Sequence, residues 1–511
     1  MAKNIILCAD GTGNKGGYSP DSNVYKMYKS VEIHDEGNPQ IKFYDNGVGT
    51  GDNKIWRALS GAFGFGFKRN VCDLYAFLAR NYEPGDRIYL FGFSRGAATI
   101  RAFSGFLHAC GLMKSTDQNG KSISDEKIDQ YMHDAYKAYK KSKSIPALAK
   151  QFREHKNSHG VIEIEFIGVW DTVSALGFPE KWDITGIGIW VLNALFKSLD
   201  YITDVIFPHR FYNYELTSNV KYACQALAID DERLSFLPKV WDETERKDGS
   251  VEQVWFAGMH SNVGGGYARS GMANVALYWM MERSHTRQLE FKQGAMQAAF
   301  ESSHVNGRMY NSRDGMAVFY RYHPREIEQL SRGRINGEIK IHSSVLQRMQ
   351  SQTGNYAPGN LPETFTVVRN AENNVTDVLN LSVEPTWANY KNSLRRLIFF
   401  RKWIYGISLE TGLVVLMAAI YFWINQHELR TEEAGNWLMA QIADVLNYIL
   451  PKMFDGLIHY TVALHPMYFW IFVVFTLVLW LISRIAFKKS IQTQEKMRAL
   501  LLETRLHDFD Q

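Results

Sequence analysis

Up to about residue 390 the chain alternates short apolar runs with amphipathic stretches, as strands and helices taken in turn would. The runs that read as strands are Asn4–Cys8, Ile41–Asp45, Arg87–Gly92, Ile162–Trp170, Lys221–Ile229 and Gln253–Gly258. Several read as continuous apolar segments and not as alternating ones, which suits parallel strands covered on both faces. The pattern predicts an α/β fold, with a mostly parallel sheet and helices on both faces. The tract GAFGFGFKRN (Gly61–Asn70) reads as a flexible entry to a helix that stops before the turn signal Glu83-Pro84-Gly85-Asp86. No repeat or low-complexity linker interrupts this region.

Beyond residue 390 the pattern is different. Trp403–Ile424 is largely apolar and about long enough to cross a bilayer as a helix, with Glu410 as the one acidic interruption. Tyr468–Ile482 is apolar throughout and becomes a full span when taken from Pro466 to Phe487. Trp403, Tyr405, Trp423, Tyr468 and Trp470 fall near the ends, where amphipathic rings favour the interface. Arg395, Arg396, Arg401 and Lys402 precede the first span, and Arg484, Lys488 and Lys489 close the second. That placement predicts a helical hairpin with both ends on the cytoplasmic side. Asn436–Leu464, between the spans, mixes apolar residues with Asp444, Lys452 and Asp455 and reads as interfacial helices. The expected organisation is a catalytic domain over residues 1–385 and a membrane-associated region over 386–511.

Composition adds exclusions. Hydrophobic content of 46% and charged content of 22% describe a folded chain, and a net charge of +4 over 511 residues gives no pull towards nucleic acid. The four cysteines (Cys8, Cys72, Cys110, Cys224) are scattered without metal-ligand spacing, so neither a disulfide framework nor a bound metal is expected. The N-terminus runs from a lysine straight into a short strand and a polar turn. Synthesis in the cytoplasm without a signal peptide is the expectation.

The strongest chemical signal is Gly92-Phe-Ser94-Arg-Gly96, a G-x-S-x-G motif with an apolar strand before it and a small-residue helix start after it. In that setting the chain turns sharply at the serine and exposes its hydroxyl at a helix N-terminus, the arrangement of a nucleophile in an α/β-hydrolase. His260 lies just past the late strand Gln253–Gly258 and precedes Gly264, Gly265 and Gly266, a place suited to a general base. The acid has two candidates, Asp171 after FIGVW and Asp230 after ALAI, and strand counting favours Asp230. Either could equally be a helix cap or a turn aspartate. For the oxyanion hole the amide of Arg95 follows from the motif, and the turn Asp10-Gly11-Thr12-Gly13-Asn14 offers a second donor at Gly11 or Thr12. No Walker lysine pattern follows that turn, and a metal role for Asp10 has no support.

Taken together, DGTGN, YDNGVGT, NYEPGDRIYLFGFSRGAATIRAF, FIGVWDTVSALG, LAIDDER and WFAGMHSNVGGGY resemble one α/β-hydrolase-like family. It includes bacterial type VI secretion phospholipase effectors. The likeness runs from residue 3 to about 285, with a weaker echo in IHSSVLQRM (Ile341–Met349). It implies a triad of Ser94, Asp171 and His260, displacing Asp230, and hydrolysis of glycerophospholipid acyl esters of the phospholipase A type without a cofactor. A phospholipid membrane, an immunity protein and a secretion spike or chaperone are the partners it implies. The chain departs from the family at Ala268-Arg269-Ser270-Gly271, where many members carry an acidic residue, and in its membrane hairpin. The insertion Trp182–Tyr214 reads equally as a lid or as a buried helix. Two rival functions stay open, a non-lipid serine esterase or thioesterase and a membrane-anchored scaffold with a vestigial hydrolase domain. So does the setting, as a toxin against rivals or a defence enzyme acting on its own cell's membrane.

Overall fold

Six parallel strands form the body of one sheet in the computed structural model. The model describes residues 2–18, 20–33, 37–47, 66–142, 144–173, 214–246, 248–311, 323–370, 377–380, 385–425 and 437–504. The strands are β1 (Asn4–Ala9), β2 (Gln40–Asp45), β3 (Arg87–Phe93), β4 (Ile164–Trp170), β5 (Val220–Ala228) and β6 (Val251–Phe256). Three more follow, β7 (Ile339–His342), β8 (Thr364–Val368) and β9 (Asp377–Asn380). Their order across the sheet is β2-β1-β3-β4-β5-β6-β7-β8-β9. Each neighbouring pair is parallel except β8 and β9, which run antiparallel. The sequence pattern had reached only as far as β6.

Both faces of the sheet are covered. Ile5 and Leu7 of β1 pack with Val71, Leu74 and Leu78 of α2 (Phe67–Asn81), and the same core takes in α3 (Arg95–Cys110) and α4 (Asp125–Lys141). Ile6 and Cys8 point the other way, into a core shared with Val24 and Met27 of α1 (Asn23–Ser30) and with the helix Gly271–His285. Successive residues of one strand thus feed opposite cores, which explains why these runs are apolar without alternation.

The strand order places the chemistry. The chain leaves β1 to one side, for β2, and then returns to the other side, for β3. Such a reversal marks the carboxyl ends of β1 and β3 as the place where open α/β sheets hold their ligands. Asp10-Gly11-Thr12 follows β1 and Ser94 follows β3. Asp171 follows β4, Asp230 follows β5 and His260 lies just past β6. All the candidate site residues therefore stand on one edge of the sheet.

A second compact unit holds Asn389–Met497. It contains most of the long helices α9 (Pro385–Ile424) and α11 (Pro466–Thr504), with α10 (Trp437–Ile449) between them; α5 to α8 are Pro146–Arg153, His260–Gly264, Gly271–His285 and Ser343–Gln350. A small core of Met439, Ala443, Ile458 and Val462 ties α10 to the turns before α11. Both α9 and α11 are long and apolar enough to cross a membrane, and only 6% of the most apolar stretch of each is buried. Trp403, Tyr421, Trp423, Trp470, Phe475 and Trp480 are among the exposed side chains. The insertion Trp182–Tyr214 lies outside the described residues, apart from Tyr214.

Candidate active site

At the end of β3 the backbone makes the turn that the motif requires. Ser94 sits at φ 57°, ψ −122°, a region that L-residues seldom occupy, and caps the N-terminus of α3. Such a conformation costs about 1–3 kcal/mol and persists only where its surroundings impose it. The glycines show how they impose it. A Cβ on Gly96 would lie 2.1 Å from the Ala9 carbonyl oxygen, and one on Gly92 would lie 2.7 Å from Ala97 Cα. Only glycine lets α3 approach β1 and β3 so closely. The Ser94 amide donates to the Trp170 carbonyl at 3.0 Å, which joins the turn to β4.

The residue after β4 is Asp171, fully buried and itself at φ 42°. That backbone turns its carboxylate towards His260, whose Nδ1 lies 2.6 Å from Oδ2. Oδ1 accepts from the Ala228 amide at 3.0 Å. Arg325, absent from every motif, grips the same carboxylate with both arms. Its Nη1 donates to Oδ1 at 2.6 Å and its Nη2 to Oδ2 at 2.7 Å. The other N–H bonds of these nitrogens go to the carbonyls of Ala228 (2.5 Å) and Phe236 (2.6 Å). Burial alone would raise the Asp171 carboxyl. The Arg325 charge and the hydrogen bonds from His260 and Arg325 outweigh it and hold the group well below the usual carboxylate range.

His260 is buried at the start of α6. Its amide donates to Asp231 Oδ2 at 3.2 Å, and Asp231 is held in turn by Arg233 Nη2 at 2.7 Å. The ring of Phe93, next to Ser94, lies 4.6 Å from the imidazole, and Phe236 meets it edge-on at 5.0 Å. With Nδ1 given to Asp171, Nε2 has no hydrogen-bond partner. Burial lowers the imidazole below its ordinary value and Arg233 adds to that, against the raising effect of Asp171. The ring is therefore neutral at neutral pH. With its proton fixed on Nδ1 by a carboxylate, the Nε2 lone pair is free to accept another.

Asp230 is placed elsewhere. Its Oδ2 accepts from the Gly258 amide at 2.6 Å and from the Tyr356 hydroxyl at 2.8 Å, and burial pushes its carboxyl up to about 6. It makes no bond to His260, so the strand-counting preference fails on geometry. The turn after β1 also needs a correction at Gly11. Its amide donates to Asp10 Oδ1 at 2.6 Å and is not available to a substrate. Asp10 takes further hydrogen bonds from Asn14, Tyr44 and Ser22, which ties the turn to β2 and α1 and fills its acceptor sites. Thr12 and Arg95 are left as the candidate oxyanion donors. Arg95 is the first residue of α3, directly after the elbow serine. The Thr12 hydroxyl is buried without a hydrogen-bond partner. Among the described residues no group of three or more His, Cys, Asp or Glu could hold a metal ion, and the four cysteines are buried and unpaired.

Arg325, Asp231 and Arg233 escaped the sequence reading. The last two lie in LAIDDER, a stretch whose motif character was visible although the division of labour within it was not.

Comparison with known proteins gives three findings. A family model described as the catalytic domain of Tle1-like type VI secretion phospholipase effectors matches residues 3–283. An uncharacterised protein of Saccharomyces cerevisiae is 30% identical over 188 residues, 34% of this chain and 27% of its own. The chain thus spans about a quarter of the length of that curated relative. Among solved structures, an uncharacterised protein from Pseudomonas aeruginosa aligns at 17% identity over 60% of this chain and 49% of its own, with a TM-score of 0.33. A Tle1 effector bound to the VgrG spike aligns at 14% identity over 62% of this chain and 78% of its own, with a TM-score of 0.31.

Proposed function

The chain belongs to the family of type VI secretion phospholipase effectors with a Tle1-like catalytic domain, and on that premise we propose that it hydrolyses glycerophospholipid acyl esters by serine catalysis. The observation that carries the reading is the buried Asp171–His260 pair, with Nε2 unbonded and Phe93 of the strained serine elbow packed against the imidazole. In the proposed reaction Ser94 Oγ attacks the ester carbonyl carbon while His260 Nε2 takes its proton. The tetrahedral oxyanion is met by the amides of Arg95 and Thr12. As the intermediate collapses, the carbonyl–oxygen bond to the glycerol breaks, and His260 returns the proton to the departing lysophospholipid. His260 next takes a proton from water, which attacks the acyl-serine. Fatty acid leaves and Ser94 regains its proton. Asp171 stays ionised throughout and steadies the imidazolium.

The C-terminal unit supplies location in this reading. Its two exposed apolar helices, aromatic ends and basic flanks suit a hairpin in the bilayer that delivers the catalytic domain to its substrate. Family membership makes a type VI spike, and an immunity protein in the producing cell, the partners to test by co-purification. The deciding experiment incubates the full chain with phosphatidylethanolamine and phosphatidylglycerol liposomes. Free fatty acid and lysophospholipid should appear in equal amounts, and Ser94→Ala should abolish both while leaving liposome binding unchanged. Release of a phosphorylated headgroup, or full turnover by Ser94→Ala, would overturn the proposal.

A further inference from the structure

The Asp171–His260 pair is not a dyad but part of a buried charge chain that extends past the matched segment. Arg325 lies beyond residue 283, where the family model ends. It is 1% exposed, fixed by four hydrogen bonds from its two terminal nitrogens, and anchored through its own carbonyl by Asn360 Nδ2 at 2.9 Å. Asn360 also donates to the Ile229 carbonyl at 3.0 Å, so the segment carrying Arg325 is tied to the end of β5. The fork is two-point recognition of a carboxylate, which arginine provides and lysine does not.

We propose that Arg325 is a positioning residue for acyl transfer, fixing the Asp171 carboxylate so that Oδ2 faces His260 and cancelling its charge. This rests on the reading of Ser94 and His260 as nucleophile and base. Two consequences follow from the geometry. The carboxylate cannot rotate away from the imidazole without breaking the fork, so the proton on Nδ1 and the direction of Nε2 are held before substrate arrives. The second consequence is electrostatic. A lone buried carboxylate would hold a proton on His260 and spoil it as a base. Arg325 Nη2 and His260 Nδ1 share one oxygen, at 2.7 and 2.6 Å, so a positive charge opposes protonation at close range. The other charged groups facing the imidazole are Asp231 and Arg233, which pair with each other at 2.7 Å.

The test uses the full chain and a soluble short-chain ester, so that membrane binding plays no part. Activity needs the neutral imidazole and is lost as pH falls through the value at which the Asp171–His260 pair takes up a proton. In the wild type that limb should lie at or below about pH 6.5, the ordinary imidazole value. Arg325→Met removes the opposing charge. Whether the extra proton then settles on His260 or on Asp171, the pair acquires it at higher pH. A unit charge lost from roughly 5 Å, at an effective dielectric near 20, should move the limb up by about 2 pH units. The turnover number should fall by about a hundredfold through misorientation. Arg325→Lys keeps the charge without the fork, so its limb should stay near the wild-type position while turnover still falls. A purely structural arginine would lower the yield of folded enzyme in both variants but leave the limb in place.

Folded Arg325→Met enzyme with wild-type turnover and limb would overturn the proposal. Should Arg325→Met fail to fold, the wild-type limb and Arg325→Lys decide. A wild-type limb above about pH 7.5, or Arg325→Lys at full turnover, would overturn it. Ser94→Ala and His260→Ala separate the two levels. Full activity in either sinks the underlying reading, whereas inactivity in both, with Arg325 variants unchanged, sinks only this inference.

Discussion

Replacing Asp171 by asparagine tests the site at its most constrained point. Four N–H groups converge on the carboxylate, from Ala228, His260 and both arms of Arg325. Asparagine offers one acceptor oxygen and an NH2 that can only donate. With the oxygen left at the Oδ1 position, the NH2 faces Arg325 Nη2 and His260 Nδ1. With the amide flipped, it faces Arg325 Nη1 and the Ala228 amide. Flipped, two of the four donors lose their acceptor; unflipped, Arg325 Nη2 loses its own and His260 Nδ1 must give up its proton, at about 1–3 kcal/mol for each donor left unpaired. The Arg325 cation is also left buried without its counter-charge, and breaking such a pair costs about 3–5 kcal/mol. These costs overlap, so a loss of roughly 3–6 kcal/mol in unfolding free energy is expected. For catalysis, the unflipped amide forces the imidazole proton to Nε2, and the corresponding change in serine hydrolases lowers turnover by about ten thousandfold. Both effects can be read on one preparation, by urea unfolding and by short-chain ester hydrolysis at a temperature where the variant is folded. Folded Asp171→Asn within about tenfold of wild-type turnover would refute the reasoning, since tautomer control would then contribute nothing.

Asp230→Asn is the matched control and should keep activity within about threefold, because its bonds go to Gly258 and Tyr356 and the amide can satisfy both. Its pH signature has a definite sign. The Asp230 carboxyl is raised from 3.8 to about 6 in the folded chain, so between those values the folded form holds a proton that the unfolded form has released, and stability falls as pH rises through that window. Asp230→Asn should remove that decline, as thermal midpoints at intervals of pH would report. A chain ending at Ala388 keeps Trp387, which is 1% exposed and belongs to the first unit, and should hydrolyse soluble short esters near the full rate while attacking liposomes much more slowly. A folded truncation as fast on liposomes as the whole chain would remove the anchoring role. One dead on short esters would give the C-terminal part a share in building the site.

What could be read in the sequence depended on how local its cause is. The Ser94 elbow was legible because strand, glycines and helix start lie within a few residues, and the space they need is set by backbone packing against Ala9. The strands β1 to β6 were legible because each carries an apolar stretch long enough to stand out, as in IILCA of β1 and YLFGF of β3. The short β7, β8 and β9 carry polar residues such as Lys340, Thr366 and Asn380 and gave no such run. The choice between Asp171 and Asp230 was not a matter of strand position. It turns on φ at Asp171, which bends that carboxylate across to His260, and on Tyr356, which draws Asp230 away. The Gly11 amide was misjudged because an aspartate bonded its own neighbour, a local competition that glycine spacing does not reveal. Arg325 left no trace in any motif, for it reaches Asp171 across 154 positions of sequence. The resemblance pointed to Asp171 where counting pointed to Asp230, but its span ends before Arg325.

If an acyl group passes from a phospholipid to Ser94, the most direct measurement is to find it there. Full-length protein would be mixed with liposomes, quenched in acid within the first turnovers and digested for mass spectrometry. The account predicts the peptide containing Ser94 carrying the mass of a lipid-derived fatty acyl ester, an adduct that vanishes in Ser94→Ala together with lysophospholipid. An acyl group on another residue, or lysophospholipid produced by Ser94→Ala at the wild-type rate, would contradict it.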